Sequence, residues 1–178
     1  VTIIQGDPGE GKTTMVLQII AKLTRGEPIL PVDSTKDKRT NIDSEGGTVD
    51  TENAENNALL QQLEAPVNVI YQTAEDGLGD TIKPRLLAAG ADCTKVMVID
   101  DSEQPLTMAD VRLEEAIIQT KARMVVLDPI QGFLGAEVDM HRANEIRPLM
   151  KRIAVLAEKY HCAIILIGHM NKNSNGKS

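Results

Sequence analysis

The stretch Gly6-Asp7-Pro8-Gly9-Glu10-Gly11-Lys12-Thr13 decides how the rest of this 178-residue chain is interpreted. It follows the apolar run Val1–Gln5 and opens the segment Lys12–Arg25, where apolar residues recur at helical spacing. The octapeptide fits the pattern G-x-x-x-x-G-K-[ST], and a strand before it and a helix after it are the context this pattern requires. The sequence therefore predicts a phosphate-binding loop, with a plain glycine-rich turn as the alternative.

The residue types of the loop suit a bound nucleoside triphosphate and its metal ion. Glycines let backbone N–H groups approach phosphate oxygens closely, and the following helix N-terminus adds its dipole. Lys12 would place a cation on the β- and γ-phosphates, and the Thr13 hydroxyl would ligate Mg²⁺. We expect ATP and Mg²⁺ as cofactors, with the nucleotide-binding set Gly6, Asp7, Pro8, Gly9, Glu10, Gly11, Lys12, Thr13 and Thr14.

A second anchor for Mg²⁺ is predicted at Asp128, which ends the aliphatic run Met124–Asp128. Ligands of open parallel sheets lie at the carboxyl ends of strands, where the loop after Gln5 would also lie. We expect Asp128 to hold Mg²⁺ through water. The alternative is a strand-end aspartate that caps a turn.

Hydrolysis needs a group that orients and deprotonates water, and Asp128 is followed by Pro129 rather than by a glutamate. The candidate base is Glu75, just after the apolar run Val67–Gln72. If that strand neighbours the strand of the phosphate loop, Glu75 faces the γ-phosphate. In the alternative, Glu75 and Asp76 cap a helix that begins near Asp80.

Polar residues follow the last apolar run, Ala163–Gly168, in the order His169-Met170-Asn171-Lys172. His169 is predicted to sense the γ-phosphate and to help stabilise charge there. Lys172 is either a surface lysine or a phosphate or nucleic-acid contact. His141 and His161 are interpreted as ordinary surface residues, and Asp100-Asp101 as turn and cap residues.

Five apolar runs alternate with helical patterns, which predicts an α/β fold with a mostly parallel sheet and helices on both faces. The fifth run is Lys95–Asp100, and further helices are predicted at Thr81–Ala89, Thr107–Thr120 and Ala143–Tyr160. The second of these opens on a Thr107-x-x-Asp110 capping pair, and Pro148 should kink or split the last one.

The whole chain, 1–178, is predicted to be one domain that is part of a longer protein. The acidic stretch Asp33–Ala65 is interpreted as a solvated, mobile insertion with a short helix near Ala54–Leu63. A binding appendage is the alternative.

Composition excludes several classes of function. Hydrophobic residues make up 42% and charged residues 25%, a globular mix that excludes disorder throughout. The net charge of −7 argues against a surface that coats duplex DNA. The longest aliphatic runs are far short of a membrane span, and no leader is visible, so we expect a cytoplasmic protein without a membrane partner. Cys93 and Cys162 have no metal or redox spacing and are predicted to be buried in a reducing compartment.

Together the phosphate loop, Glu75, Asp128 and the His169-Met170-Asn171-Lys172 segment resemble RecA-like P-loop ATPases. The resemblance is closest to the AAA_25 group, which includes the plasmid RepA hexameric helicase. The last motif is similar to the Gln-Leu-Asn-Arg segment of DnaB-type replicative helicases, with His169 at the Gln position and Lys172 at the Arg position.

The resemblance implies a ring, usually a hexamer, with ATP between subunits. It also implies that two loops, Gln131–Arg142 and Asn173–Ser178, face a central channel and contact single-stranded DNA. The first loop holds Phe133, the only phenylalanine of the chain.

The leading hypothesis is an ATP-hydrolysing motor domain of a DNA replication or recombination helicase. A KaiC-like regulatory switch that acts on protein partners without DNA is the alternative. A nucleotide-binding scaffold with negligible turnover and a small-molecule kinase remain further possibilities.

Overall fold

The computed structural model describes residues 1–29, 65–136, 138 and 142–169. Several predicted features lie outside the described residues. They are nearly all of the Asp33–Ala65 insertion with its Ala54–Leu63 helix, His141, part of the Gln131–Arg142 loop, Met170 to Lys172, and the loop Asn173–Ser178.

A five-stranded sheet, parallel throughout, forms the centre of the described part. The strands are β1 (Thr2–Gly6), β2 (Val69–Thr73), β3 (Val96–Met97), β4 (Met124–Asp128) and β5 (Ala163–His169). Their order across the sheet is β1-β5-β4-β2-β3. The predicted α/β class and parallel sheet are confirmed.

Two strands therefore separate β2 from β1. Glu75 was predicted to face the γ-phosphate on the condition that its strand neighbours the strand of the phosphate loop. The strand order does not meet that condition. Chain order says nothing about which parallel strands are adjacent, since each crossover can pass over any number of strands.

Among the described residues, four α-helices accompany the sheet: α1 (Lys12–Arg25), α2 (Lys83–Ala88), α3 (Val111–Thr120) and α4 (Ala143–Lys159). The structure confirms α1 with both predicted ends. It ends because Gly26 adopts a left-handed conformation, φ 71°, from which its N–H reaches the Leu23 carbonyl at 3.2 Å. The predicted helix at Thr81–Ala89 is instead a π-helical segment, Leu78–Ile82, followed by α2.

Two details of the helix predictions are wrong. Helix α3 begins at Val111 rather than Thr107, because Asp110 is itself the N-cap and accepts a bond from the Arg112 N–H at 2.9 Å. Helix α4 is continuous through Pro148, so the predicted split is wrong, since one missing N–H removes a single bond from a 17-residue helix; the predicted kink stays a prediction.

Strands β2, β4 and β5 send alternate side chains into two cores, one on each face of the sheet. Ile70, Val125 and Leu127 face the core shared with α3 and α4. Val69, Tyr71 and Val126 face the core shared with α1 and α2. The two-sided burial explains why the strands are almost purely apolar. Among the described residues, no helix combines the length and apolarity that a membrane crossing requires.

Candidate functional site

The phosphate loop connects β1 to α1 through two left-handed glycines. Gly9 has φ 85° and Gly11 has φ 82°, a conformation that strains any residue with a Cβ. The Lys12 side chain folds back under the loop, where Nζ donates to the carbonyl oxygens of Gly6 at 2.9 Å and Asp7 at 2.7 Å. Lys12 is only 9% exposed, so its charge is held inside the loop. The loop geometry therefore brings backbone N–H groups and a cation to one place.

Asp128 lies against the start of α1, although 115 positions separate it from Thr13 in the sequence. The Thr13 hydroxyl donates to Asp128 Oδ2 at 2.8 Å, and this leaves the lone pairs of the threonine oxygen available to a metal ion. Asp128 is 5% exposed. Its side chain thus faces the phosphate loop and does not serve as a simple turn cap.

A second hydroxyl contacts the same carboxylate oxygen. Tyr71 on β2 is fully buried, and its phenol donates to Asp128 Oδ2 at 2.8 Å. Burial, with the neighbouring Asp128 carboxylate adding to it, raises the pKa of Tyr71 far above its usual range, so the phenol remains a donor. The sequence analysis missed this residue. The signal was there, because a tyrosine in a buried strand needs a partner for its hydroxyl.

Glu75 and His169 meet at the carboxyl edge of the sheet even though their strands are not neighbours. His169 Nε2 lies 3.5 Å from Glu75 Oε2. The His169 side chain is 30% exposed and that of Glu75 63% exposed, so this pair borders solvent. In the register, His169 stands beside Gly6, the first residue of the phosphate loop. The structure therefore brings Glu75, His169 and the loop to one edge.

Glu75 does not cap a helix in the structure, so the alternative role predicted for it is wrong. The π-helical segment follows Gly77 without a side-chain cap. Instead the Thr73 hydroxyl accepts from the Asp76 N–H at 3.1 Å, which closes the turn after β2. The Glu75 carboxylate thereby points towards His169.

Two further polar residues reach the site from other elements. Gln131, just after β4, donates from Nε2 to the His169 carbonyl at 3.0 Å. Within the described part of the chain, Gln131 Oε1 and His169 Nδ1 are buried without a hydrogen-bond partner. Arg85 on α2 donates to the Thr14 hydroxyl at 3.0 Å. Neither Gln131 nor Arg85 belongs to a sequence motif by which the sequence analysis could have identified it as a site residue.

Phe133 does not lie on a channel-facing surface. It is 1% exposed and belongs to the core shared with α3 and α4, because the 3₁₀ turn Ile130–Phe133 folds back against the sheet. The interpretation of this phenylalanine as part of an exposed loop is wrong. A single large apolar residue close to a buried strand gains more from burial than from exposure.

The remaining assignments are settled one by one. Cys162 is buried, and burial raises the pKa of its thiol to about 11, whereas Cys93 is only half-buried and that part of the prediction is wrong. His161 is exposed, as predicted. Asp100 closes a turn by accepting from Ser102 Oγ at 2.7 Å.

The donor set fits a nucleotide with Mg²⁺ better than a metal held by protein alone. Among the described residues, no group of three or more His, Cys, Asp or Glu side chains could hold a metal ion. One carboxylate and one hydroxyl in contact, beside a loop of backbone N–H groups, suit an ion whose other ligands are water and phosphate oxygens. Sheet order and phosphate loop together define a P-loop nucleotide-binding domain of the RecA-like class.

Comparisons with known proteins agree with this class. The family AAA_25, described as an AAA domain, matches residues 56–175, which is more than half of the chain. The chain therefore belongs to the AAA_25 family of RecA-like P-loop ATPases, as the sequence resemblance predicted. The matched residues include Glu75, Asp128 and His169 and begin after the phosphate loop.

A KaiC-like protein of the hyperthermophilic archaeon Pyrococcus horikoshii has a similar fold, with a TM-score of 0.53 at 16% identity. The similarity covers 97% of this chain and 64% of that protein, so the chain spans less than two thirds of its relative. No curated protein matches the sequence.

Proposed function

We propose that this domain binds Mg-ATP at the phosphate loop and hydrolyses it. The observation that carries the proposal is the bond between Thr13 Oγ1 and Asp128 Oδ2, which joins the loop to the acid at the end of β4. Membership of an ATPase family and the enclosed Lys12 ammonium support the same activity. Nucleotide contacts come from Gly6 through Thr14, including Asp7, Pro8 and Glu10.

The proposed reaction is attack of water on the γ-phosphorus, which breaks its bond to the β–γ bridging oxygen and releases ADP and inorganic phosphate. Glu75 orients the water and accepts its proton, while Lys12 and His169 stabilise the charge that develops on the phosphate oxygens. Thr13 would hold Mg²⁺ directly and Asp128 would hold it through water; when bound, the ion would neutralise charge on the β- and γ-phosphates. The 3.5 Å contact between Glu75 and His169 supports placing base and sensor on the same phosphate.

We further propose that the domain is a cytoplasmic motor that assembles into a ring, usually a hexamer, on single-stranded DNA. Its support is the bond from Gln131 to the His169 carbonyl. Gln131 is the first residue of one segment predicted to contact DNA, and His169 ends the strand that precedes the other segment, Asn173–Ser178, in the sequence. A change at the γ-phosphate that moves His169 would therefore reach both segments. The burial of Phe133 leaves phosphate contacts, rather than base stacking, as the expected mode of DNA binding.

A KaiC-like switch that acts on proteins is the second candidate. It is supported by the fold of the Pyrococcus horikoshii relative, which is itself called KaiC-like, and by the net charge of −7. Like charges repel a nucleic acid, so a negative surface suits protein partners better.

Steady-state ATP hydrolysis with and without single-stranded DNA separates the two candidates. Glu75→Gln serves as the blank, since it should keep nucleotide binding and lose turnover. Glu115→Gln, at an exposed position of α3, is the matched control for loss of one carboxylate. DNA-stimulated turnover that is absent only from the Glu75 variant supports the motor. Turnover indifferent to DNA favours the switch, and full activity of Glu75→Gln refutes the assignment of the base.

A further inference from the structure

Tyr71 makes a polar contact that the proposed reaction does not use. Its hydroxyl and that of Thr13 both donate to Asp128 Oδ2, each at 2.8 Å. Neither hydroxyl uses Oδ1, the other oxygen of the carboxylate. Two donors on one oxygen fix the rotation of a carboxylate, since turning it would break both bonds. Asp128 is therefore held in one orientation before any ligand arrives.

We propose that Tyr71 is a positioning residue for Mg²⁺, which acts by holding the Asp128 carboxylate in the orientation that the hydrated ion requires. This inference rests on the proposed function, because it assumes Mg-ATP at the loop. Thr13 alone would be a weak clamp, since its oxygen is itself a proposed ligand of the ion. Tyr71 supplies the bond that stays in place when the ion binds.

The surroundings of Tyr71 suit this role. The phenol is fully buried on a central strand, so water does not compete for its bond to Asp128 from bulk solvent. Its ring lines a mostly apolar cavity of about 270 Å³ together with Leu78, Ile82 and Leu86. A phenylalanine ring would fill the same space. Because Tyr71 and Glu75 lie on one strand and the turn after it, the same element positions the metal ligand and the proposed base.

Tyr71→Phe removes only the hydroxyl, and the chain provides a matched control. It contains two tyrosines, and the other, Tyr160, also donates to a carboxylate, Glu114 Oε1, at 2.7 Å. Tyr160→Phe therefore deletes the same kind of bond away from the site. The measurement is the affinity for a fluorescent ATP analogue as Mg²⁺ is titrated, followed by ATP turnover over the same Mg²⁺ range.

We expect Tyr71→Phe to raise the half-saturating Mg²⁺ concentration by roughly 10- to 100-fold, with affinity in the absence of Mg²⁺ unchanged. Excess Mg²⁺ should restore turnover close to the wild-type rate. Tyr160→Phe should match the wild type throughout. An unchanged Mg²⁺ requirement in Tyr71→Phe would overturn the inference, and so would a loss of turnover that excess Mg²⁺ does not restore.

A measurement on the wild-type chain avoids any dependence on the folding of the variant. With ¹³C at the Cζ atom of both tyrosines, assigned through Tyr160→Phe, addition of Mg²⁺ to the nucleotide-bound chain should shift the Tyr71 signal and leave the Tyr160 signal in place. If Mg²⁺ tightens nucleotide binding and the Tyr71 signal does not move, this inference is contradicted and the proposed function is not. If Mg²⁺ has no effect on nucleotide binding in the wild type, the proposed function fails together with this inference.

Discussion

Replacing Lys12 by alanine tests the phosphate loop most directly. The ammonium, 9% exposed, is enclosed by the loop through two carbonyl oxygens. A unit charge about 4 Å from a phosphate charge contributes ~4 kcal/mol at an effective dielectric constant of about 20. Exchange of the two carbonyl bonds for phosphate bonds offsets about 1–2 kcal/mol of this. The net loss of about 2–3 kcal/mol corresponds to Mg-ATP binding weaker by roughly 30- to 150-fold.

The assay is isothermal titration calorimetry with Mg-ATP at fixed ionic strength, with thermal melting to establish that the variant is folded. Lys22→Ala is the matched control. Lys22 lies on the same helix and donates to two backbone carbonyls, those of Pro28 at 3.3 Å and Ile29 at 3.2 Å, beyond the C-terminal end of α1. Its loss should leave affinity unchanged. A folded Lys12→Ala chain that binds Mg-ATP within threefold of the wild type would refute the electrostatic reasoning.

The other predictions concern stability and are measured by urea denaturation. Phe133→Ala should lower the free energy of unfolding by about 3–5 kcal/mol because the ring is 1% exposed in the core; a change below 1 kcal/mol would mean the ring is at the surface. Gly11→Ala should lower the free energy of unfolding by about 1–2 kcal/mol because Gly11 has a left-handed φ of 82°. A clash adds nothing to this cost, since the added Cβ would meet no atom within 4 Å. Asp110→Ala should lower the free energy of unfolding by about 1 kcal/mol at neutral pH, because it removes the N-cap of α3. Bonds from the Arg112 side chain lower the pKa of Asp110 in the folded state, so its stabilisation is complete above its unfolded pKa and is lost as pH falls through the folded pKa. The difference between this variant and the wild type should vanish in acid, and a difference that persists there would contradict the assigned cause.

Local sequence signals were enough to predict those helices and strands whose ends depend on interactions between nearby residues. Helix α1 was predicted with both ends from its apolar spacing and the glycine loop before it, and the Gly26 cap that ends it in the structure is equally local. Asp128 was predicted because its strand is apolar up to its last residue. Thr107 failed as a helix start because Asp110 offers a stronger cap three residues later.

Contacts that depend on strand order could not be predicted in this way. The sequence identified Glu75 and His169 as candidates, but the reason given for Glu75 assumed the wrong neighbour for its strand. That the two side chains meet follows from the position of β5 between β1 and β4. The partnership of Tyr71 with Asp128 depends on the same lateral arrangement and on which face of β2 residue 71 occupies.

The pairing of β1 with β5 also bears on how the chain acquires its structure during synthesis. Thr2 pairs with Ile165, so about 160 residues of chain separate the two halves of this ladder. At ribosomal rates of roughly 5–20 residues per second, β1 waits on the order of 10–30 s for β5, its one neighbour in the part of the sheet that the structure describes. Long-range parallel pairing of this kind is slow to form. Nucleotide can therefore stabilise the nascent domain only after β5 has emerged. Until then β1 is unpaired, and chaperones can bind its apolar residues.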